Sequence, residues 1–241
     1  MSYGSFDDNY GQMFAADAAA SERGAFIRRV YGHVFGAILA FVGLEAALLN
    51  TPGIDAVFAQ IFAFRWAPLI LMVMFMGAGW LARSWAHGST SSAMQYVGLS
   101  LYVVAQAAIF APLLYVVNTV IGDTKLIPTA GFFTLLMFGG LTAIVFVSGA
   151  NFSFLRTGLM LAGFASLGVV LCAAIFGLSL GVWFSIAMAV LASGYILYDT
   201  SEILHSYRTD QHVGAALELF ASVAILFYYI VRILMQFRSD D

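Results

Sequence analysis

Charge is what this chain has least of. Of its 241 residues, ten are Lys or Arg and thirteen are Asp or Glu, 10% in all, against about 25% in a soluble domain. A soluble sphere of this size could not cover its surface with so few charged groups. Lys125 is its single lysine. Intrinsic disorder is excluded as well, because 62% of the residues are hydrophobic and disorder requires the opposite balance. The net charge of −3 comes with no basic block, so there is no electrostatic footprint for nucleic acid. Cys172, the one cysteine, sits in an apolar run, which excludes a disulfide scaffold and a cysteine-based zinc site. What remains is an integral membrane protein.

What the chain has in quantity is long apolar runs. A helix crossing the hydrocarbon needs about 20 mostly apolar residues. Seven stretches qualify, at Val30–Asn50, Trp66–Ala82, Gln95–Asn118, Thr129–Val147, Leu155–Phe176, Leu180–Thr200 and Ala215–Phe237. Breakers or polar residues mark most joints: Pro52-Gly53, His87–Thr90, Gly122-Asp123 and Ser148–Asn151. Only Gly177-Leu178-Ser179 separates the fifth run from the sixth, which predicts a tight helical hairpin. The alternation of a transmembrane barrel is absent. The expected fold is an all-α, seven-helix membrane bundle.

Residues 1–24, rich in Gly, Ser, Asp and Tyr, read as a flexible cytoplasmic tail, with residues 25–241 forming the membrane domain. The tail does not read as a signal peptide, since no basic residues open it. Arg and Lys near span ends set the orientation. With the N-terminus inside, six fall inside and four outside, and Arg28 and Arg29 abut the first helix. The expectation is N-in and C-out, in a bacterial inner membrane. Gly32 and Gly36 form a GxxxG step in the first helix, read as helix packing within one chain.

Ionisable groups inside a span cost about 2.5–3.5 kcal/mol each by insertion scales, so they usually face the bundle interior and serve a pathway. Arg232 is expected to snorkel to the interface, and His33 to be a satisfied interfacial residue. Glu45 fits an interfacial or an interior position equally. Glu202, His205, Arg208, Asp210 and His212 read as a solvated loop. Asp199 is different: at 1.5 Å per residue it lies about 9 Å inside the end of its helix. That depth matches the turn from Glu218 to Ser222, which share a helix face at i and i+4. Arg83 ends its helix on the same side of the membrane. These four are expected to converge at one mouth of the bundle.

The stretch Gly194–Ile203 (GYILYDTSEI), then Ala216–Phe220 (ALELF), Leu226-Phe227 and Val231–Leu234 (VRIL), resembles the Bax inhibitor-1 family. Phe26–Tyr31 (FIRRVY) is similar to that family's entry into the first helix, and Ser239–Asp241 to its acidic tail. The resemblance covers most of the chain as seven helices and is motif-specific over about the last fifty residues. It implies six helices around a central seventh and a pH-sensitive calcium leak. It further implies a proton-sharing aspartate pair, one on each of the last two helices, and an Arg latch on the first aspartate. Asp199 matches the first aspartate, and Arg83 the latch. Ser222 stands where the second aspartate would be, and Ile225 where an Asn is common. Glu218 is the nearby candidate for the second carboxylate.

Two functions follow as expectations. One is a passive calcium or cation leak gated at Asp199, with Glu218 or Ser222 as its partner and Arg83 as latch. Calcium would then be the transported ion, meeting Asp199 transiently, with no resident metal and no cofactor. The other is a non-transporting modulator that binds a membrane-anchored AAA protease or another stress-response partner through the tail. An enzyme is not expected, since aspartyl and serine intramembrane protease signatures, phosphate loops and zinc helices are all missing. The oligomeric state is left open.

Overall fold

The structure is a computed structural model that describes residues 14–87 and 91–239. Its helices, in chain order, are α1 (Ala20–Leu49), α2 (Ile54–Ala63), α3 (Ala67–His87), α4 (Ser92–Tyr115), α5 (Leu126–Ser148), α6 (Leu155–Phe176), α7 (Val182–His205) and α8 (His212–Ser239). All but α2 are long and apolar enough to cross a bilayer. A π-helical segment, Val116–Ile121, extends α4 beyond Pro112 and ends at Gly122 in the left-handed region (φ 71°).

The bundle is built around its last helix. In α8, 61% of the apolar window is buried, against 6% in α6. α8 packs on α1, α3, α4, α5 and α7, whereas α6 packs chiefly on α7 with a smaller contact to α3. The sixth encircling helix is thus set back from the centre, leaving a space between α6 and α8. Large apolar side chains cover the outside, including Trp80 at 72% and Trp183 at 80% exposure. Such a surface suits lipid, where it carries no hydrophobic cost.

Aromatic rings fill the middle of the core. Phe41 of α1 meets Phe110, Phe220 and Phe227 edge-on at 5.1–6.3 Å between centroids. Phe110 and Phe227 stack at 5.8 Å. Beyond them, Arg232 and Gln236 of α8 both donate to the Leu180 carbonyl at 3.1 Å, and Arg238 pairs with Asp123 at 2.8 Å. Arg232 therefore ties down the α6–α7 hairpin at the end of the bundle.

Several sequence expectations shift. Part of the tail reading of residues 1–24 falls on residues 1–13, which with residues 88–90 and 240–241 lie outside the described residues; from residue 14 onward the chain is structured. Ala15 is fully buried and its N–H donates to the Tyr207 carbonyl at 2.8 Å. Residues 20–24 are already the start of α1. α2 was absent from the span reading: Pro52-Gly53 signalled only a joint. Its Phe58 lies against Tyr115 at 4.5 Å, and the Tyr115 hydroxyl donates to Asp55 at 2.7 Å. Glu202 and His205 belong to α7, so the loop before α8 is only Ser206–Gln211.

The GxxxG step is also corrected. A methyl group at Gly32 or Gly36 would meet nothing within 4 Å, while one at Gly98 would lie 2.7 Å from the Ala82 carbonyl. The close helix approach is therefore between α3 and α4, at a glycine with no GxxxG spacing to announce it.

Candidate functional site

Side chains on four helices converge where α6 stands away from α8. On α7, Tyr195, Asp199 and Glu202 recur about one turn apart, which places them on one face. On α8 the same stripe is Glu218, Ser222, Ile225 and Tyr229. Arg83 and His87 contribute from the end of α3, and Tyr102, Gln106 and Phe110 from α4. Together with part of α6 they line a cavity of about 740 Å³.

Two polar contacts organise its charged end. The Arg83 Nε–H lies against both oxygens of the Glu218 carboxylate, at 2.9 and 3.0 Å. The Arg83 guanidinium also lies over the Tyr102 ring, 5.4 Å from its centroid, an arrangement favoured by the ring quadrupole. Deeper in, the Ser222 hydroxyl donates to an Asp199 oxygen at 2.5 Å. Asp199 is buried, at 9% exposure, as is Ser222. The expected convergence of Asp199, Glu218, Ser222 and Arg83 is what the structure contains, but the pairing is different. Arg83 is bonded to Glu218 and not to Asp199, and the hydrogen bond to Asp199 comes from the serine. The reason is geometric: Glu218 lies in the second turn of α8 beside the end of α3, whereas Asp199 sits a turn deeper with Ser222.

His87 extends the charged end. Its Nδ1–H donates to the Arg83 carbonyl at 3.1 Å. The Tyr207 hydroxyl approaches Nε2 at 3.4 Å, and Glu218 lies 3.9 Å away. Burial pushes the Tyr207 hydroxyl well above its ordinary range, and the charges of Glu218, Asp199 and Glu202 add to the effect. Tyr207 is consequently a neutral donor. Because the Tyr207 carbonyl also holds Ala15, the N-terminal segment is fastened to the loop at this mouth.

The cavity is deep but stops short of crossing. From Glu218 to Tyr229 is eleven residues, or about 16 Å along α8, roughly half the hydrocarbon thickness. Its inner end is closed by Phe110, Tyr228 and Tyr229, whose rings meet edge-on at 5.2 Å. Gln106, at 2% exposure, has a buried side-chain carbonyl oxygen with no donor. Sequence reasoning missed it by scanning the spans for ionisable groups alone. A primary amide in the middle of the Gln95–Asn118 run was the available signal.

Glu45 is interior, 4% exposed, and does not line this cavity. His33 is held on α1 by the Arg29 carbonyl at 2.6 Å and approaches the Tyr96 hydroxyl at 3.2 Å. Among the described residues, no three His, Cys, Asp or Glu side chains cluster as a metal site.

The family model for the inhibitor of apoptosis-promoting Bax1 matches residues 23–239. Over 240 residues the chain is 28% identical to protein lifeguard 4 of Mus musculus, covering 95% of this chain and 91% of that protein. It is 27% identical over 237 residues to the uncharacterized protein PA2604 of Pseudomonas aeruginosa, covering 95% and 97%. It is 26% identical over 238 residues to the Golgi anti-apoptotic protein of Vaccinia virus (strain Lister), covering 95% and 92%. With the family model spanning nearly its whole length and seven apolar helices packed around the last, the chain belongs to the Bax inhibitor-1 family.

Proposed function

We propose that this protein is a pH-sensitive cation leak whose pathway includes the cavity between α3, α4, α6, α7 and α8, with calcium as the leading transported ion. The observation that carries this reading is the place of Asp199: a buried carboxylate on the cavity wall, with Ser222 as donor, directly inside the Arg83–Glu218 pair. Intramembrane acids of this kind mark ion pathways and proton relays.

The residues have distinct parts. The Arg83–Glu218 pair closes the mouth, which the bias of Arg residues puts on the cytoplasmic side. Ionised Asp199 accepts from Ser222 and adds to the negative field that holds Arg83 inward. When Asp199 takes up a proton it becomes a donor, the hydrogen bond with Ser222 must reorganise, and that field weakens. Arg83 then swings toward solvent, which its 44% side-chain exposure permits. The latch thus acts through Glu218 and only indirectly through Asp199. In this reading the closed state is the one whose inner end is filled by the rings of Phe110, Tyr228 and Tyr229. Flux measured in proteoliposomes as a function of pH, with Asp199→Asn as the comparison, tests the assignment.

A second reading is a non-transporting modulator that binds a membrane-anchored AAA protease or another stress-response partner. It is favoured by the docking of Phe14 and Ala15 on the α7–α8 loop, which puts an N-terminal segment, with Phe14 49% exposed, beside the mouth. A variant lacking residues 1–19 that loses partner capture while keeping flux would support it. Loss of neither would count against it.

A further inference from the structure

Gln106 is buried in the middle of a membrane-spanning helix, and its carbonyl oxygen has no donor. An orphaned acceptor at this depth is costly and calls for a partner. Its level in the bundle follows from its neighbours on α4. Tyr102, one turn before, meets Phe220 at 6.2 Å; Phe110, one turn after, meets Tyr228 at 5.2 Å. Gln106 therefore stands level with the Ser222–Ile225 stretch of α8, and so with the Asp199 carboxylate that Ser222 bonds.

Asp199 also has capacity left. A carboxylate offers about four lone-pair sites, and Ser222 uses one. Among the described residues Asp199 makes no ion pair, because Arg83 is committed to Glu218. Gln106 and Asp199 thus both line one cavity, each with acceptor capacity that no donor fills. Calcium satisfies neither fully, since it takes about six to eight oxygen ligands, and the walls here are mainly aromatic and aliphatic. The volume, about 740 Å³, is that of a small-molecule site. Tyr195, Tyr198 and Tyr228 supply ring faces and edges along it, which favour a cation with an apolar body.

We propose that the cavity is a binding site for an amphipathic organic ammonium. The charged nitrogen sits at the Asp199 level and donates its N–H groups to the Asp199 carboxylate and the Gln106 carbonyl oxygen. The apolar body lies between the tyrosines and the α6 wall at Gly163 and Val170. Such a ligand supplies the missing donors and balances the charge of Asp199 in a single step. The site goes beyond the ion-leak reading and is measured without flux, so failure of either leaves the other standing.

The test uses dansylcadaverine, a fluorescent primary amine, with the full chain in nanodiscs and empty nanodiscs of the same lipid as blank. Its N-acetylated analogue has the same aromatic body and no charge. Saturable binding of the amine, at least tenfold weaker for the acetylated analogue, is expected. Asp199→Asn should weaken the amine at least tenfold, and Gln106→Leu threefold or more, with neither variant changing the acetylated analogue. Equal binding of the two probes, or amine affinity unmoved by Asp199→Asn, overturns the proposal. So does signal no greater than in empty discs. Should Gln106→Leu fail to fold, Gln106→Met carries the same expectation.

Discussion

The Ser222 hydroxyl donates to the Asp199 carboxylate across the α7–α8 interface at 2.5 Å. Both residues are buried, so the bond is shielded from solvent. Ser222→Ala removes the donor and leaves a buried acceptor unmet, a loss of about 1–3 kcal/mol. A lower unfolding temperature in detergent is the expected result, and Ser222→Thr, which keeps a hydroxyl, should recover most of it. Equal stability of the Ala variant and the parent would mean that water replaces the serine.

Arg83 and Glu218 should behave as one unit. Arg83→Gln and Glu218→Gln each break the pair that closes the mouth, so each is expected to raise flux at neutral pH. The double variant should match either single one within about twofold, the non-additivity expected of direct partners. The effect on stability should be small, about 1 kcal/mol or less, because both side chains reach solvent. Fully additive changes in flux would place the two residues in separate roles.

Two glycines offer a paired stability test. At Gly98 a methyl group would press on the Ala82 carbonyl and the Ala86 nitrogen, at 2.7 and 3.1 Å, so Gly98→Ala should cost about 1–3 kcal/mol through overpacking. At Gly36 there is open space, and alanine is the better helix former by about 1 kcal/mol. Gly36→Ala should leave the unfolding temperature unchanged or higher. The reverse order would restore the GxxxG step as the principal helix contact.

Arg232 holds the α6–α7 hairpin through the Leu180 carbonyl, together with Gln236. Arg232→Leu should loosen that hairpin, read as faster amide exchange at residues 177–181, while exchange in the α7–α8 loop at the opposite end stays as it was. Uniform acceleration at both ends would point to global destabilisation instead.

Much of the fold was legible because a bilayer imposes a plain rule. Runs long enough to span must be apolar, and their joints carry Gly, Pro or polar residues. The Leu155–Phe176 span is the same in sequence and structure, and most others grow only by a few flanking residues. α2 escaped because ten residues are too few to span. The site was legible as a set of ionisable residues at matching depth. Their pairing was not, since it depends on how far Glu218 and Asp199 each sit from the end of α3, and spacing along one helix does not fix distances between helices. Gln106 was hidden for a different reason: it carries no charge, and its significance lies in a missing donor that only packing reveals.

Asp199 is the hinge of the account, and one measurement bears on it most directly: calcium efflux from proteoliposomes between pH 5 and pH 8. The parent chain should leak faster as pH falls, since protonation neutralises Asp199 and frees the mouth. Asp199→Asn carries a permanently neutral side chain, so its flux should no longer vary with pH. A parent chain without pH-dependent flux, or an Asp199→Asn variant that retains the parent's full pH response, would contradict the assignment of the gate.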